Sequence, residues 1–151
     1  MSTSGEIDDR GLPRGHPLDP RHEISPREAS ARLASGKPYL VLDCRLKEEH
    51  EVARLEHSLP VPLHELESRL DEVAEELERR GCDRADGFAV LCHHGVRSLK
   101  AALLLQASGF PGARSIAGGI EAWSLGVDPS VPRYTRQGSR CTLVPNDAGN
   151  R

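Results

Sequence analysis

Residues 88–98 of the chain read FAVLCHHGVRS. The first four are all apolar, which predicts a short strand buried on both faces, as in a parallel sheet. A helix is predicted over residues 98–108, because apolar residues recur along this segment and a glycine follows it. Cys92 thus stands at the carboxyl end of a buried strand, which is where open parallel sheets bind their ligands.

The segments around this stretch alternate between predicted strands and helices. The further strands are predicted at 39–42, 59–62 and 114–116, and the further helices at 25–35, 46–52, 63–77 and 120–125. The segment YLVL at 39–42 is predicted to be the central strand, and the prolines at 60 and 62 leave 59–62 as a short or edge strand. The alternation predicts an α/β fold with parallel pairing and right-handed crossovers.

The length of 151 residues suits one domain with a single core. Residues 1–21 mix prolines and glycines with charges and show no periodicity, which predicts a flexible N-terminal arm. The domain is expected over 22–126. Residues 127–151 carry three prolines and few apolar residues, so we expect a wrapping or disordered C-terminal tail.

Composition argues against several classes of function. The chain has 20 basic and 23 acidic residues and a net charge of -3, so we expect no nucleic-acid partner and no anionic membrane partner. Apolar runs are only a few residues long, and the N-terminus lacks the apolar centre of a signal peptide, which makes the cytoplasm the expected location. The four cysteines form no C-x-x-C pair, so neither a disulfide framework nor a four-cysteine zinc site is predicted.

The residues after Cys92 favour a reactive thiol over an inert buried one. The backbone amides from His93 to Arg97 can turn inward around an anion, helped by Gly95 and by the N-terminus of the following helix. An ordinary cysteine has a pKa of about 8.5, and a nearby cation such as Arg97 lowers it. The pattern therefore predicts a stabilised thiolate at Cys92.

The chain also resembles a known family in three segments. CHHGVRS at 92–98 resembles the active-site loop of the rhodanese family, and LVLDCR at 40–45, followed by two glutamates, is similar to the family's Asp-x-Arg segment. AGGI at 117–120, with Trp123 behind it, resembles the family's Gly-Gly-x-x-x-Trp ending. The resemblance runs from about Ile24 to Trp123. It departs from the family at 54–60, where RLEHSLP replaces a stretch of the kind Gly-His-Ile-Pro-Gly-Ala.

The resemblance implies a rhodanese-like three-layer α/β fold, with a central five-stranded parallel sheet and helices on both faces. It implies a sulfurtransferase in which Cys92 takes sulfur from thiosulfate or a persulfide donor, holds it as a persulfide, and passes it to cyanide, a thiol or a protein. His93, His94, Gly95, Val96 and Arg97 would form the loop that binds substrate and persulfide. No metal or organic cofactor is implied.

The length of the loop after Cys92 distinguishes this chain from phosphatases and arsenate reductases of related architecture. Those enzymes place an arginine six positions after the cysteine, where it grips a tetrahedral oxyanion through two hydrogen bonds. Here Arg97 comes five positions after Cys92, and Ser98 occupies the sixth. The shorter loop predicts a site for a sulfur atom with less room for phosphate.

The supporting residues are expected to be Asp43, Arg45 and Ser98. Asp43 and Arg45 follow a predicted strand, so this pair either forms a structural salt bridge beside the site, which we favour, or draws in anionic donors. Cys44 lies between them and is either a packing residue, which we favour, or a thiol that resolves Cys92.

The two histidines have open roles as well. Each either donates a hydrogen bond to the donor's oxyanion or faces solvent, and at least one is expected to face solvent. Three consecutive residues seldom converge on one ion, so no metal is expected at 92–94. Cys141 in the tail is a possible sulfur acceptor. The alternative function is a non-catalytic or sulfur-relay module that acts only on a specific protein.

Overall fold

The computed structural model of the protein describes residues 6–145. The strands are β1 (Glu23–Ile24), β2 (Leu40–Asp43), β3 (Leu59–Pro60), β4 (Phe88–Leu91), β5 (Ser115–Ile116), β6 (Tyr134–Gln137) and β7 (Arg140–Leu143). The helices are α1 (Pro26–Leu33), α2 (Lys47–Val52), α3 (Leu63–Leu66), α4 (Leu70–Arg80), α5 (Val96–Ala107) and α6 (Gly119–Gly126).

A five-stranded sheet with the order β1-β5-β4-β2-β3 forms the middle layer, and all of its pairs are parallel. The predicted α/β fold is therefore confirmed. β4 is the central strand because it is the third of the five strands in this order, between β5 and β2. The prediction that residues 39–42 form the central strand was wrong, since β2 lies one place from the centre. Sequence analysis also missed β1, whose two residues are too few for a periodic pattern.

Local chemistry explains where the helices begin and end. Ser25 Oγ accepts a hydrogen bond from the backbone N–H of Glu28 at 3.2 Å, and Pro26 occupies the first turn of α1. α4 ends at Gly81, whose φ of 73° is left-handed. The helix predicted over 63–77 is divided into α3 and α4 by a short 3-10 turn at Glu67–Arg69. Within residues 6–145, no helix combines the length and the apolar character that crossing a bilayer requires.

Alternation along β2 and β4 divides their side chains between two buried clusters, one on each face of the sheet. Val41, Ala89 and Leu91 belong to one cluster. The other contains Leu40, Leu42, Cys44, Phe88, Val90 and Cys92. The chain thus carries Cys44 and Cys92 past the ends of two neighbouring strands on the same face of the sheet.

The segments on both sides of the predicted domain pack against it. Leu12 lies within the expected flexible arm, yet it is fully buried against Ala117 and Ala122. Over its described part, residues 6–21, the arm is therefore an ordered, packed segment, because it covers an apolar surface of α6. The tail forms an antiparallel hairpin of β6 and β7, and Tyr134 is 2% exposed. The domain limits at 22 and 126 stay predictions.

Candidate active site

Cys92 directly follows β4, and its side chain is 1% exposed. Its Sγ accepts a hydrogen bond from the backbone N–H of Gly95 at 3.0 Å and lies 3.1 Å from Ser98 Oγ. Ser98 Oγ in turn lies 2.6 Å from Ser115 Oγ on β5. A backbone donor and a chain of two hydroxyl groups therefore converge on one sulfur atom.

A second thiol lies beside this sulfur. Cys44 follows Asp43, which pairs with Leu91 in the β2–β4 register, and the N–H of Cys44 donates to the carbonyl of Leu91 at 2.9 Å. Its side chain belongs to the same buried cluster as that of Cys92, and the interaction of the two thiols strongly raises the pKa of Cys44. Cys44 therefore stays protonated and acts as a donor. It packs in the core as expected, and it also contacts the predicted nucleophile.

These contacts lower the pKa of the Cys92 thiol to about 5. The hydrogen bond from Cys44 is the largest influence, burial opposes it, and the contacts with Ser98 and Gly95 add to the lowering. A charged sulfur is favoured because the donors around it outweigh the cost of burying the charge. Near neutral pH, Cys92 is therefore a thiolate.

We call residues 92–97 the Cys92 loop. Its left-handed turn is at Gly95, with a φ of 99°, and α5 begins at the next residue. The helix thus starts two residues before the predicted Ser98, and Val96 and Arg97 lie in its first turn because Gly95 occupies the N-cap position. The side chain of Val96, one of the residues predicted to form the loop, is 66% exposed and faces solvent.

The glycine pair before α6 permits a close backbone approach to the Cys92 loop. The N–H of Ile120 donates to the carbonyl of Cys92 at 2.8 Å, and the N–H of Glu121 donates to that of His93 at 3.1 Å. A Cβ on Gly119 would lie 2.4 Å from the carbonyl oxygen of His93. Only glycine fits at this contact, which explains why the sequence has glycine at position 119.

The two histidines of the loop differ in exposure. His94 is exposed, whereas His93 is 6% exposed and its ring stacks between those of His94 and Tyr134, with centroids 3.9 and 4.0 Å away. Burial lowers the pKa of His93 to about 4, and His94 adds to the lowering. His93 is therefore neutral near pH 7, and its Nε2 donates to the carbonyl of Tyr134 at 3.0 Å.

Arg97 is bound to a buried carboxylate. Its two terminal nitrogens donate to Glu49 Oε1 and Oε2 at 2.5 and 2.8 Å. Burial acts to raise the pKa of Glu49, but hydrogen bonds from Arg97 and Tyr134 outweigh it and lower the value to about 2. The same ion pair raises the pKa of Arg97. The cation predicted to face Cys92 is thus held by Glu49, although it still interacts with the Cys92 charge.

Asp43 and Arg45 form a buried pair at the end of β2. Arg45 donates to both carboxylate oxygens of Asp43, at 2.9 and 2.6 Å, and to the carbonyl of Ala53 at 2.6 Å. His50 Nδ1 lies 2.9 Å from Asp43 Oδ2. With all of these donors engaged inside the protein, the geometry favours the structural salt bridge over contact with a donor.

Sequence reasoning missed three residues of this site. Glu49 is one of the two glutamates that follow the LVLDCR segment, but no role at the site was predicted for it. Ser115 lies on β5, and nothing in its spacing links it to Cys92. Tyr134 lies in the expected tail, where no motif marks it. Within the part of the chain that the structure describes, no group of three or more His, Cys, Asp or Glu side chains is arranged to hold a metal ion.

The profile of the rhodanese-like domain family matches residues 25–125. The chain belongs to this family. The span contains the Cys92 loop, the Asp43–Arg45 pair and the glycine pair of α6, so the three segments that suggested the rhodanese resemblance lie within one family match. Sulfur transfer is the general function that this membership supports.

Several known proteins are similar to this rhodanese-like chain. It is 33% identical over 132 residues to the maize "Adenylyltransferase and sulfurtransferase MOCS3-1" and 34% identical over 131 residues to the mouse MOCS3 protein of the same description. These matches cover 87% and 78% of this chain and 28% of each relative. The chain therefore spans just over a quarter of the length of these relatives.

Solved structures agree with the fold. The human single-domain sulfurtransferase TSTD1 is 30% identical, with a TM-score of 0.54, and the match covers 70% of this chain and 96% of that one. A rhodanese-like domain protein from Staphylococcus aureus has a TM-score of 0.58 at 23% identity, covering 76% of this chain and 99% of that one. The second likeness concerns the fold alone.

Proposed function

We propose that this protein is a sulfurtransferase in which Cys92 accepts a sulfur atom, holds it as a persulfide and passes it to a thiophilic acceptor. The observation that carries the proposal is the convergence of Gly95 N–H and Ser98 Oγ on the buried sulfur of Cys92. The neighbouring Cys44 thiol lowers the pKa of the same sulfur. A donor set of this kind stabilises an anionic sulfur before and after the transfer.

The first step is attack of the Cys92 thiolate on the outer sulfur of thiosulfate or of a persulfide. With thiosulfate, a new sulfur–sulfur bond forms to Cys92, the bond inside thiosulfate breaks, and sulfite leaves with its electron pair. The negative charge moves from Sγ to the added sulfur. No proton has to be transferred, which agrees with a neutral His93 whose Nε2 is already bonded to a backbone carbonyl.

The second step is attack of the acceptor on the outer sulfur of the Cys92 persulfide. Cyanide would leave as thiocyanate, and a thiolate would leave as a new persulfide, with the thiolate of Cys92 restored in either case. The protein begins and ends each cycle with the same charge at the same atom. The cycle as written needs no metal or organic cofactor. That the reaction proceeds without one stays a prediction.

The Arg97–Glu49 pair supports sulfur over phosphate as the transferred group. A phosphatase arginine needs both terminal nitrogens for its oxyanion, and here both are bonded to Glu49. A cleft of about 380 Å³ opens beside the loop and is lined by residues that include His94 and Arg136. We propose that an anionic donor enters through this cleft.

Intact-mass measurement after thiosulfate treatment tests the proposal. The wild type should gain the mass of one sulfur atom, lose it when cyanide is added, and release thiocyanate. C92S should neither gain the sulfur nor release thiocyanate, while C82S should behave like the wild type because Cys82 follows α4 and lies outside the Cys92 loop. Equal thiocyanate production by C92S and the wild type would refute the assignment of Cys92.

A sulfur-relay module is the second candidate. The curated relatives are described as both adenylyltransferase and sulfurtransferase, and they are several times longer than the matched segment. This supports a role in which the domain passes sulfur to another protein unit. In that case the Cys92 persulfide would resist cyanide and transfer its sulfur to a protein thiol. Thiocyanate release at the same rate as persulfide loss would count against relay.

We also propose a cytoplasmic location. The chemistry needs a reduced thiolate, and all four cysteines are free. Fractionation of the native host with an antibody to this chain tests the location, and recovery from an oxidising compartment would contradict it.

A further inference from the structure

Tyr134 lies nine residues beyond the family match, which ends at residue 125. It is the first residue of β6, and its side chain is almost completely buried against the Cys92 loop. The segment leading to it is tied to α6, because the N–H of Val127 donates to the carbonyl of Trp123 at 2.8 Å and Ser124 Oγ donates to that of Val131 at 2.7 Å. Tyr134 therefore reaches the loop from a fixed base.

At the start of the Cys92 loop, Tyr134 holds His93 in two ways. The rings stack at 4.0 Å with an interplanar angle of 8°, and the carbonyl of Tyr134 accepts a hydrogen bond from His93 Nε2 at 3.0 Å. Because a carbonyl only accepts, the proton of the neutral imidazole lies on Nε2. These contacts fix both the position and the tautomer of the first residue after the nucleophile.

At the end of the loop, the hydroxyl of Tyr134 acts through Glu49. It donates to Glu49 Oε2 at 2.7 Å, and the same carboxylate binds both terminal nitrogens of Arg97. Arg45 donates to the Tyr134 hydroxyl at 3.0 Å. Since arginine only donates, the hydroxyl proton must point to Glu49. One hydroxyl thus joins the two buried ion pairs of the site.

We propose that Tyr134 is a positioning residue for the sulfur transfer proposed above, on which this inference rests. It holds the two ends of the Cys92 loop in the curvature that aims the N–H of Gly95 at the sulfur. His93 is fixed through the ring and carbonyl of Tyr134, and Arg97 is fixed through Glu49. The C-terminal hairpin is, in this view, part of the active site.

Y134F isolates the hydroxyl because the ring stack and the backbone carbonyl remain. Two measurements apply: the rate at which thiosulfate loads sulfur onto Cys92, and the pH midpoint of Cys92 alkylation by iodoacetamide, which needs no sulfur donor. We expect loading to slow by about threefold to tenfold and the midpoint to rise. This is less than the full loss of a hydrogen bond to a charged group, because the hydroxyl of Tyr134 acts on the loop only through Glu49 and Arg97. Y134F should lower the maximal rate of loading more than it changes the thiosulfate concentration that gives half of that rate.

Y39F is the matched control. Tyr39 is the other tyrosine of the chain, and among residues 6–145 its buried hydroxyl has no hydrogen-bond partner. Y39F should therefore match the wild type in both measurements. S124A removes an anchor of the tail without touching the loop; a loss of loading in S124A as large as in Y134F would reduce Tyr134 to a structural role and overturn the proposal.

E49Q tests the same path from its other end. If Tyr134 acts through Glu49, the double variant Y134F/E49Q should load sulfur no more slowly than E49Q, whereas multiplied losses would contradict the path. Should Y134F fail to fold, an alkylation midpoint of E49Q equal to that of the wild type would refute the proposal. If the wild type takes no sulfur from thiosulfate but Y134F still shifts the midpoint, the proposed donor is wrong and the positioning role stands.

Discussion

Replacing Cys44 with alanine should raise the pKa of the Cys92 thiol by about one to two units. The Cys44 side chain is the largest influence that holds this pKa at about 5. A hydrogen bond to a charged group contributes about 1.5–3 kcal/mol, and one pKa unit corresponds to about 1.4 kcal/mol. C44A should therefore titrate between about pH 6 and pH 7.

The assay is alkylation of Cys92 by iodoacetamide over a pH series, read on the peptide that contains Cys92. At pH 6 the thiolate fraction should fall from roughly nine-tenths in the wild type to between about one half and one tenth in C44A. The alkylation rate should fall in proportion, because only the thiolate reacts. At pH 9 the two proteins should react at similar rates.

Two further variants make this test specific. C44S keeps a hydroxyl donor at the same position and should retain most of the lowered pKa. C82A removes a cysteine that is not among the main influences on the pKa of Cys92, so it should not change the midpoint. A folded C44A whose midpoint lies within about 0.3 units of the wild type would refute the donor role of Cys44.

Three other outcomes are expected. In urea titrations, the free energy of unfolding of G119A should be at least about 2 kcal/mol lower than that of G138A. Both glycines have a positive φ, but only a Cβ at Gly119 would clash with backbone atoms. Equal losses would contradict the close approach of Gly119 to the Cys92 loop. By the same method, R45M should lose about 3–5 kcal/mol of unfolding free energy, because it leaves the buried carboxylate of Asp43 without its arginine. R79Q removes a surface ion pair and should lose at most about 1 kcal/mol. Similar losses in both variants would count against a structural role for Arg45. The rate of sulfur loading onto Cys92 should be level from about pH 6 to pH 8 and fall about tenfold per unit below about pH 5, because protonation removes the thiolate; a limb between pH 6 and pH 7 would show that a histidine titrates in the reaction.

The sequence by itself predicted Cys92 as the nucleophile and determined the type of sheet. Cys92 could be singled out because an apolar strand, a glycine turn and a helix are all local patterns, and local patterns are visible in consecutive residues. The alternation of strands and helices likewise implied parallel pairing. The centre of the sheet could not be read in the same way, because β2 and β4 are both short and fully buried, and only their neighbours distinguish them.

Only the tertiary structure decided what surrounds Cys92. Cys44 became a hydrogen-bond donor because strand register places it beside Cys92, and register is a long-range property. Glu49 and Tyr134 reach the Cys92 loop across 48 and 41 positions of sequence, measured to Arg97 and His93. No spacing rule links residues so far apart, so their role follows from packing alone. The thiolate was foreseeable from the loop, but the groups that lower its pKa and fix its surroundings depended on the folded chain.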